Sequence, residues 1–310
     1  MTSSRLDPVR HRIRRLKTLP VFPTLLTGRN LACGITAVLC AAHASGPSHS
    51  QWLFAGACFV FAAMVCDMLD GKVARLTNTA GPFGAELDSL ADVVSFGVAP
   101  AILVHRLILG EPYVFGYGGR FLWFLTVFYP VLAAIRLARY NVEHSDAATP
   151  YFRGLPSPGA AALICSWIIV HHTFHAELVS WNLLRPDGYT SLDTLPIFGW
   201  AMIVVTGIAA LLMVSTLRYP HVGNTLLGRM GFRSMILMIG VLGLLWFEPW
   251  LTLFFATTGY VLYGLVLGAW QTYRTWRRGG SLLEDEDEAG AEDAGLGTDR
   301  HVHEGPAHGR

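Results

Sequence analysis

The sequence predicts an all-α fold, a polytopic membrane helix bundle of about eight transmembrane helices, on three observations. Of its 310 residues, 52% are hydrophobic and 15% charged, and the mean hydropathy is positive, which is more apolar than a soluble domain of this length requires. Apolar runs of the roughly 20 residues needed to cross a bilayer recur along the chain. The connections between them alternate in basic content, the pattern of a chain that threads a membrane repeatedly.

The spans are expected at about 22–43, 51–73, 84–109, 120–139, 157–175, 195–216, 231–247 and 250–271, six of them forming a core with two peripheral. One set of connections carries Lys72 and Arg75, then Arg136, Arg139 and Arg153, then Arg218, Arg229 and Arg233, then Arg274, Arg277 and Arg278. The other set, such as "HASGPSHS" and "FEPW", holds almost no basic residues, although Arg120 and Arg185 sit near the third and fifth spans. The positive-inside rule therefore puts both termini in the cytoplasm, as an even number of spans requires.

Residues 1–20 form a basic juxtamembrane segment. Asp7 can cap a helix with Pro8 at its first position, and Val9, Ile13 and Leu16 share a face opposite Arg10, Arg12, Arg14 and Arg15. That pattern suits an interfacial helix on anionic lipid, or else a basic tail that only sets topology. The same region, followed by "AHA" at Ala42 to Ala44, mimics a signal peptide. Cleavage is not expected, because the apolar stretch is long enough to span and its loss would remove a helix from the bundle. Residues 21–275 then make up the transmembrane domain. Residues 276–310, with "LLEDEDEAGAEDAG", read as an acidic, disordered tail. The basic front and acidic back nearly cancel to a net charge of +1, and no nucleic-acid partner is expected. All five cysteines lie in apolar runs without a CxxC and imply no disulfide framework.

The informative stretch is "CDMLDGKVARLTNTAGPFGAELDSLADVVSFGVAP", Cys66 to Pro100, which sets Asp67, Asp70, Asp88 and Asp92 inside apolar spans. Asp67 and Asp70 are three apart and Asp88 and Asp92 four apart, so each pair projects from a single helical face. The short polar turn around "LTNTAGP" makes the two helices antiparallel neighbours, which lets the carboxylates converge. An intramembrane aspartate costs on the order of 2.5–3.5 kcal/mol even on a lenient scale, and like charges brought together repel, so the cluster calls for a cation. Hard oxygen ligands without nearby histidine or thiol favour Mg, Mn or Ca over Zn or Cu. Two divalent ions among the aspartates would leave positions for phosphate oxygens and water. Gly71 and Ala74 leave room for a group to approach the helix, and Arg75 offers a fork for phosphate.

The string D67-x2-D70-G71-x2-A74-R75-x8-G84-x3-D88-x3-D92 resembles, at every fixed position, the signature of the CDP-alcohol phosphotransferase family. The resemblance implies a helical membrane enzyme, commonly a homodimer, that uses two divalent cations, Mg or Mn. It makes Asp67, Asp70 and Asp88 metal ligands, and Asp92 the general base and a further ligand. Gly71, Ala74, Arg75 and Gly84 would line the CDP site. The strings "PTLLTGRNLACG", "LDSLADVVSFGVAPA", "RLARYNV" and "FRGLPSPGAAA" are similar to the integral-membrane, serine-accepting branch of that family. This implies CDP-diacylglycerol and L-serine as substrates in the cell membrane, with the active site facing the cytoplasm. Where that branch commonly has Pro-Asn this chain has Pro23-Thr24, which leaves Thr27 and Asn30 as the polar contacts to the nucleotide.

For the serine carboxylate the candidates are Arg136 and Arg139, with Arg153 a third, since guanidinium binds carboxylate in a forked geometry; they equally suit the positive-inside pattern. Asn141 can orient an ammonium or hydroxyl, or cap a helix. His171, His175 and Glu177 have spacing for a transition metal but fall on the other side of the membrane from the aspartates. "GLVLG", Gly264 to Gly268, has the small-residue spacing of close helix contact, within or between subunits. Two rival functions remain at this level. Another acceptor, glycerol 3-phosphate or an inositol compound, fits the same signature. A cation transporter would also use intramembrane carboxylates, but it has little use for Gly71, Ala74 and Arg75 beside them.

Overall fold

A computed structural model of the chain describes residues 21–76, 82–109, 117–143, 151–180, 196–215, 217–220, 240 and 243–277. The basic segment 1–20, the tail beyond residue 277 and most of the seventh expected span lie outside the described residues. Two compact units, residues 1–264 and 265–310, divide the chain. In the second unit, Arg274 stacks over the Trp270 ring at 4.4 Å, a cation–π contact at a helix end.

Helix α1 spans Val21–His43 and α2 spans His49–Leu76, joined through a short 3-10 turn at Gly46–Ser48. Gly46 has φ +60, a left-handed conformation that glycine adopts without a steric penalty. Arg106 caps the end of α1, where helical carbonyls run out of intrahelical donors. Its Nε donates to the Ala41 carbonyl at 3.0 Å and its Nη2 to that of Ala44 at 2.5 Å.

The third span is built from three pieces: α3, Pro82–Asp92; a π-helical stretch, Val93–Val98; and α4, Ala99–Leu109. Pro82 opens α3 at the first helical position, where its missing N–H costs nothing. Pro100 lacks the N–H that an α-helix would send back to the Phe96 carbonyl. The Tyr129 hydroxyl donates to that carbonyl instead, at 3.2 Å, and the Ala99 N–H reaches Val94 in the wider turn. Tyr129 comes from α5, Tyr117–Glu143, which contains Pro130. The π turn beds on it: a Cβ on Gly97 would lie 3.3 Å from the Ala133 Cβ and 3.4 Å from the Pro130 Cα.

Helices α6, Ser157–Ser180, α7, Pro196–Val214, and α8, Pro249–Arg277, follow. The all-α architecture carries one short non-helical addition. Tyr151–Arg153 (β1) and Arg218–Pro220 (β2) form an antiparallel pair, Phe152 opposite Tyr219. Each strand is three residues long, too short for a period-two pattern to announce it. The clasp continues as Gly154 N–H to the Leu217 carbonyl at 2.8 Å and Leu155 N–H to that of Leu212 at 2.9 Å. Gly154 has φ +78, and a Cβ there would meet three carbonyl oxygens of residues 212–215, so no other residue fits.

Among the described residues, five helical stretches are long and apolar enough to cross a membrane: Leu25–His43, His49–Lys72, Phe83–Leu109, Arg120–Val142 and Pro249–Trp270. Each coincides with an expected span. The expected spans at 157–175 and 195–216 fall on α6 and on α7, whose apolar core Phe198–Val214 is shorter. Polarity is distributed inside out. Asn30, Asp70, Arg136, Ser157 and Thr206 are buried, while Leu39, Trp123, Val127, Val204 and Leu211 are exposed. Lipid, not water, is the solvent such a surface suits. The chain is a membrane helix bundle.

Candidate active site

Helix α2 presents Asp67 and Asp70, and α3 presents Asp88, so that one carboxylate oxygen from each lies within 4.8 Å of the others. The three-residue and four-residue spacings act as expected, stacking each pair on one face. Asp70 is buried, with Thr27 and the backbone of Gly71 hydrogen-bonded to it. Asp70 Oδ2 and Asp88 Oδ1 are buried without any hydrogen-bond partner. Leaving a buried acceptor unmatched costs about 1–3 kcal/mol, more when it is charged, and three adjacent carboxylates repel one another. A divalent cation with oxygen preference removes both penalties, so the donor set fits Mg or Mn.

Asp92 stands one turn beyond Asp88, outside that trio, and interacts electrostatically with Asp67 and Asp88. Asn30 of α1 holds it: Nδ2 donates to Asp92 Oδ1 at 3.1 Å. An ionised carboxylate only accepts, so this amide must present its nitrogen to Asp92. Asn30 is fully buried, and its Oδ1 has no donor. The position of Asn30 is fixed in turn by the Ser95 hydroxyl, which donates to the Asn30 carbonyl at 3.1 Å. Gly34 makes that approach possible, because a Cβ there would fall on the Ser95 side chain and Cα.

The surroundings of Gly71 and Gly84 are open, with nothing within 4 Å of where a Cβ would be. Ala74 and Arg75 continue α2, and their side chains lie outside the described residues. Thr27 and Asn30, expected at the nucleotide, both point into the aspartate cluster, as partners of Asp70 and Asp92.

Arg136 is 7% exposed. Its Nη1 donates to Ser157 Oγ at 2.9 Å, its plane lies 5.7 Å from the Tyr140 ring centroid, and it interacts electrostatically with Asp92 and Tyr260. Arg136 Nε is buried with no acceptor. Arg139 is half-buried. The Arg153 side chain lies outside the described residues. Asn141 is exposed and donates to Ser89 Oγ at 2.9 Å, tying α5 to α3. His171 stacks on Phe198 at 4.3 Å and His172 meets Phe54 in a tilted contact at 4.8 Å, which makes them parts of an aromatic seam; the side chains of His175 and Glu177 lie outside the described residues.

Sequence reasoning missed Ser95, Ser157 and Tyr260. Ser95 was within reach, since it lies one helical turn beyond Asp92. Ser157 and Tyr260 carry no local signal and enter only because α6 packs beside α5 and α8 beside α6; Tyr260 Cε1 lies 3.5 Å from where a Gly159 Cβ would be.

Comparison with known proteins agrees with this geometry. A CDP-diacylglycerol–serine O-phosphatidyltransferase of Helicobacter pylori is 32% identical over 254 residues, 81% of this chain and 92% of the relative. The protein of the same name from Methanocaldococcus jannaschii is 26% identical over 81% of this chain and 96% of its own length. That from Mycobacterium tuberculosis is 35% identical over 157 residues, 49% of this chain and 50% of the relative. Residues 20–186 match the sequence profile of the CDP-alcohol phosphatidyltransferases, a range that holds all four aspartates, Asn30, Arg136 and Ser157. On that match and on the breadth of the similarity to the Helicobacter pylori protein, the chain belongs to the CDP-alcohol phosphatidyltransferase family.

Proposed function

We propose that the chain transfers the phosphatidyl group of CDP-diacylglycerol to the hydroxyl of L-serine, giving phosphatidylserine and CMP. One observation carries this reading: three convergent carboxylates, two of them with an orphaned buried oxygen, stand beside a fourth, Asp92, that an amide holds in place. Asp67, Asp70 and Asp88 hold divalent cations, two of them Mg or Mn, with Asp92 at the edge of their site. When bound, the ions supply charge neutralisation for the diphosphate and its leaving oxygen. Thr27, Gly71, Ala74, Arg75 and Gly84 make up the CDP side.

Asp92 then has one task. The serine oxygen forms a bond to the phosphorus bearing diacylglycerol, the bond from that phosphorus to the oxygen shared with CMP breaks, and CMP leaves with the electron pair. The hydroxyl proton passes to Asp92. An ordinary carboxylate is a weak base for an alcohol, so proton removal accompanies attack instead of preceding it.

The sequence pattern supports eight spans within residues 21–275, a basic segment 1–20 on the lipid surface, an acidic tail from 276, and both termini and the active site on the cytoplasmic side of the cell membrane; assembly as a homodimer is what the family resemblance implies. In that orientation the acyl chains stay in lipid while serine enters and CMP leaves through water.

The test is release of CMP from CDP-diacylglycerol by the purified protein, with and without Mg or Mn, supplied with L-serine, glycerol 3-phosphate or inositol 1-phosphate. Metal-dependent release with serine alone is expected. Release only with one of the phosphorylated acceptors would refute serine as substrate.

A further inference from the structure

Two buried polar groups of opposite character belong to residues that interact with Asp92, and the catalytic machinery described above uses neither. One is Asn30 Oδ1, an acceptor without a donor; the other is Arg136 Nε, a donor without an acceptor. Both belong to residues at least nine-tenths buried, at 0% and 7% exposure. In a membrane interior, unmatched groups of this kind are costly, so each marks a place where a ligand atom belongs.

Their characters are complementary to a zwitterion. L-Serine carries a carboxylate that accepts only, an ammonium that donates only, and a hydroxyl, all within one tetrahedral centre and its CH2. Two carbons separate the hydroxyl from the ammonium. A hydroxyl at Asp92 therefore brings the ammonium to the oxygen of the amide whose nitrogen already holds Asp92. The carboxylate falls toward Arg136, the buried cation that interacts with Asp92 from α5. Nη1 of that guanidinium is held by Ser157, which leaves Nε as the edge available to an anion. Asn141, exposed and bonded to Ser89, is spared from this role.

Building on serine as acceptor, we propose that Asn30 Oδ1 and Arg136 Nε form the amino-acid receptor of this enzyme, taking the ammonium and the carboxylate respectively, with Ser157 as the positioning residue that orients Arg136. The pocket selects serine by pairing each of its charges, and an acceptor lacking either charge leaves one buried group unmatched. Discrimination by such unmatched polar groups is steep, because the penalty falls on the wrong substrate and not on the right one.

The experiment pairs residue changes with substrate changes. CMP release is measured in purified wild type, Arg136→Gln, Asn30→Ala and Ser157→Ala, with L-serine, ethanolamine (no carboxylate) and 3-hydroxypropionate (no ammonium). The wild type should prefer L-serine over both by at least 100-fold in kcat/KM. Arg136→Gln should shrink the serine-to-ethanolamine ratio at least tenfold and leave the serine-to-3-hydroxypropionate ratio within about threefold; Asn30→Ala should do the reverse. Ratios cancel any general loss of activity from weaker support of Asp92. Ser157→Ala should raise the KM for serine several-fold with the KM for CDP-diacylglycerol unchanged, and it serves if Arg136→Gln does not fold. Turnover of serine with both ratios unmoved, and with the serine KM of Ser157→Ala unmoved, would overturn the receptor while leaving the serine transferase intact. A wild type that ignores serine but turns over a phosphorylated acceptor would overturn both.

Discussion

Tyr129 donates its hydroxyl to the carbonyl of Phe96 at 3.2 Å, deep in the bundle, where Pro100 has removed the amide an α-helix would have used. The bond joins α5 to the π turn that follows Asp92, so a packing residue far from the carboxylates supports the geometry of the site. Replacing it with phenylalanine keeps the ring and strands the carbonyl. Tyr129→Phe is expected to lower stability by about 1–3 kcal/mol, read as a drop in the unfolding midpoint in detergent, while the KM for either substrate changes little. An unchanged midpoint would show that the wider turn satisfies Phe96 unaided.

Gly34 and Gly28 lie on the same helix and predict opposite outcomes. A Cβ at Gly34 collides with Ser95, whereas one at Gly28 meets nothing within 4 Å. Gly34→Ala should push α1 from the π turn, cost about 1–3 kcal/mol of stability and reduce turnover at least tenfold through Asn30. Gly28→Ala should behave as wild type. Thermal unfolding and CMP release, measured on both, check the contrast.

Metal dependence should track the trio. Asp70→Asn and Asp88→Asn each remove a ligand charge from a cluster whose oxygens lie within 4.8 Å. Loss of activity in either should exceed the ~10–100-fold that losing an outer-shell partner costs. Binding of Mn, followed by electron paramagnetic resonance on the purified protein, should weaken in parallel. Full Mn affinity in Asp88→Asn would remove that residue from the ligand set.

Asp92→Asn separates chemistry from metal binding. It should abolish CMP release with serine and retain most Mn binding, because Asp92 stands outside the trio. Asn30→Ala should lower kcat by ~10–100-fold, since the carboxylate survives but loses its support. Near-normal turnover by Asp92→Asn would defeat the assigned base.

The aspartate cluster was legible because helical spacing is written directly in residue numbers: three and four apart on each of two helices, with a short turn between them. The long apolar spans were legible for the same reason, length and composition being local properties. What escaped was relational. Asn30 is expected at the nucleotide from its sequence context, but that its amide nitrogen also holds Asp92 shows only once α1 is packed against α3. Asn141 sits five positions from Arg136, on a different face of α5, and bonds to Ser89. The π turn could not be read from "VVSFGV" alone, since its cause is divided between Pro100 and a tyrosine on another helix. The strand pair escaped because three residues carry no periodicity.

The clasp between β1 and β2 reaches further than its size suggests. Gly154 and Leu155 are pinned to the end of α7, and Ser157 begins α6 immediately afterwards, so the orientation of Arg136 is inherited from a backbone knot and not from its own helix. A single insertion between positions 154 and 157 would slide that hydroxyl out of register and, with the amino-acid receptor proposed above, weaken serine binding while sparing the carboxylates. Drift in this short stretch is therefore where a descendant could change its taste in alcohols without rebuilding its chemistry.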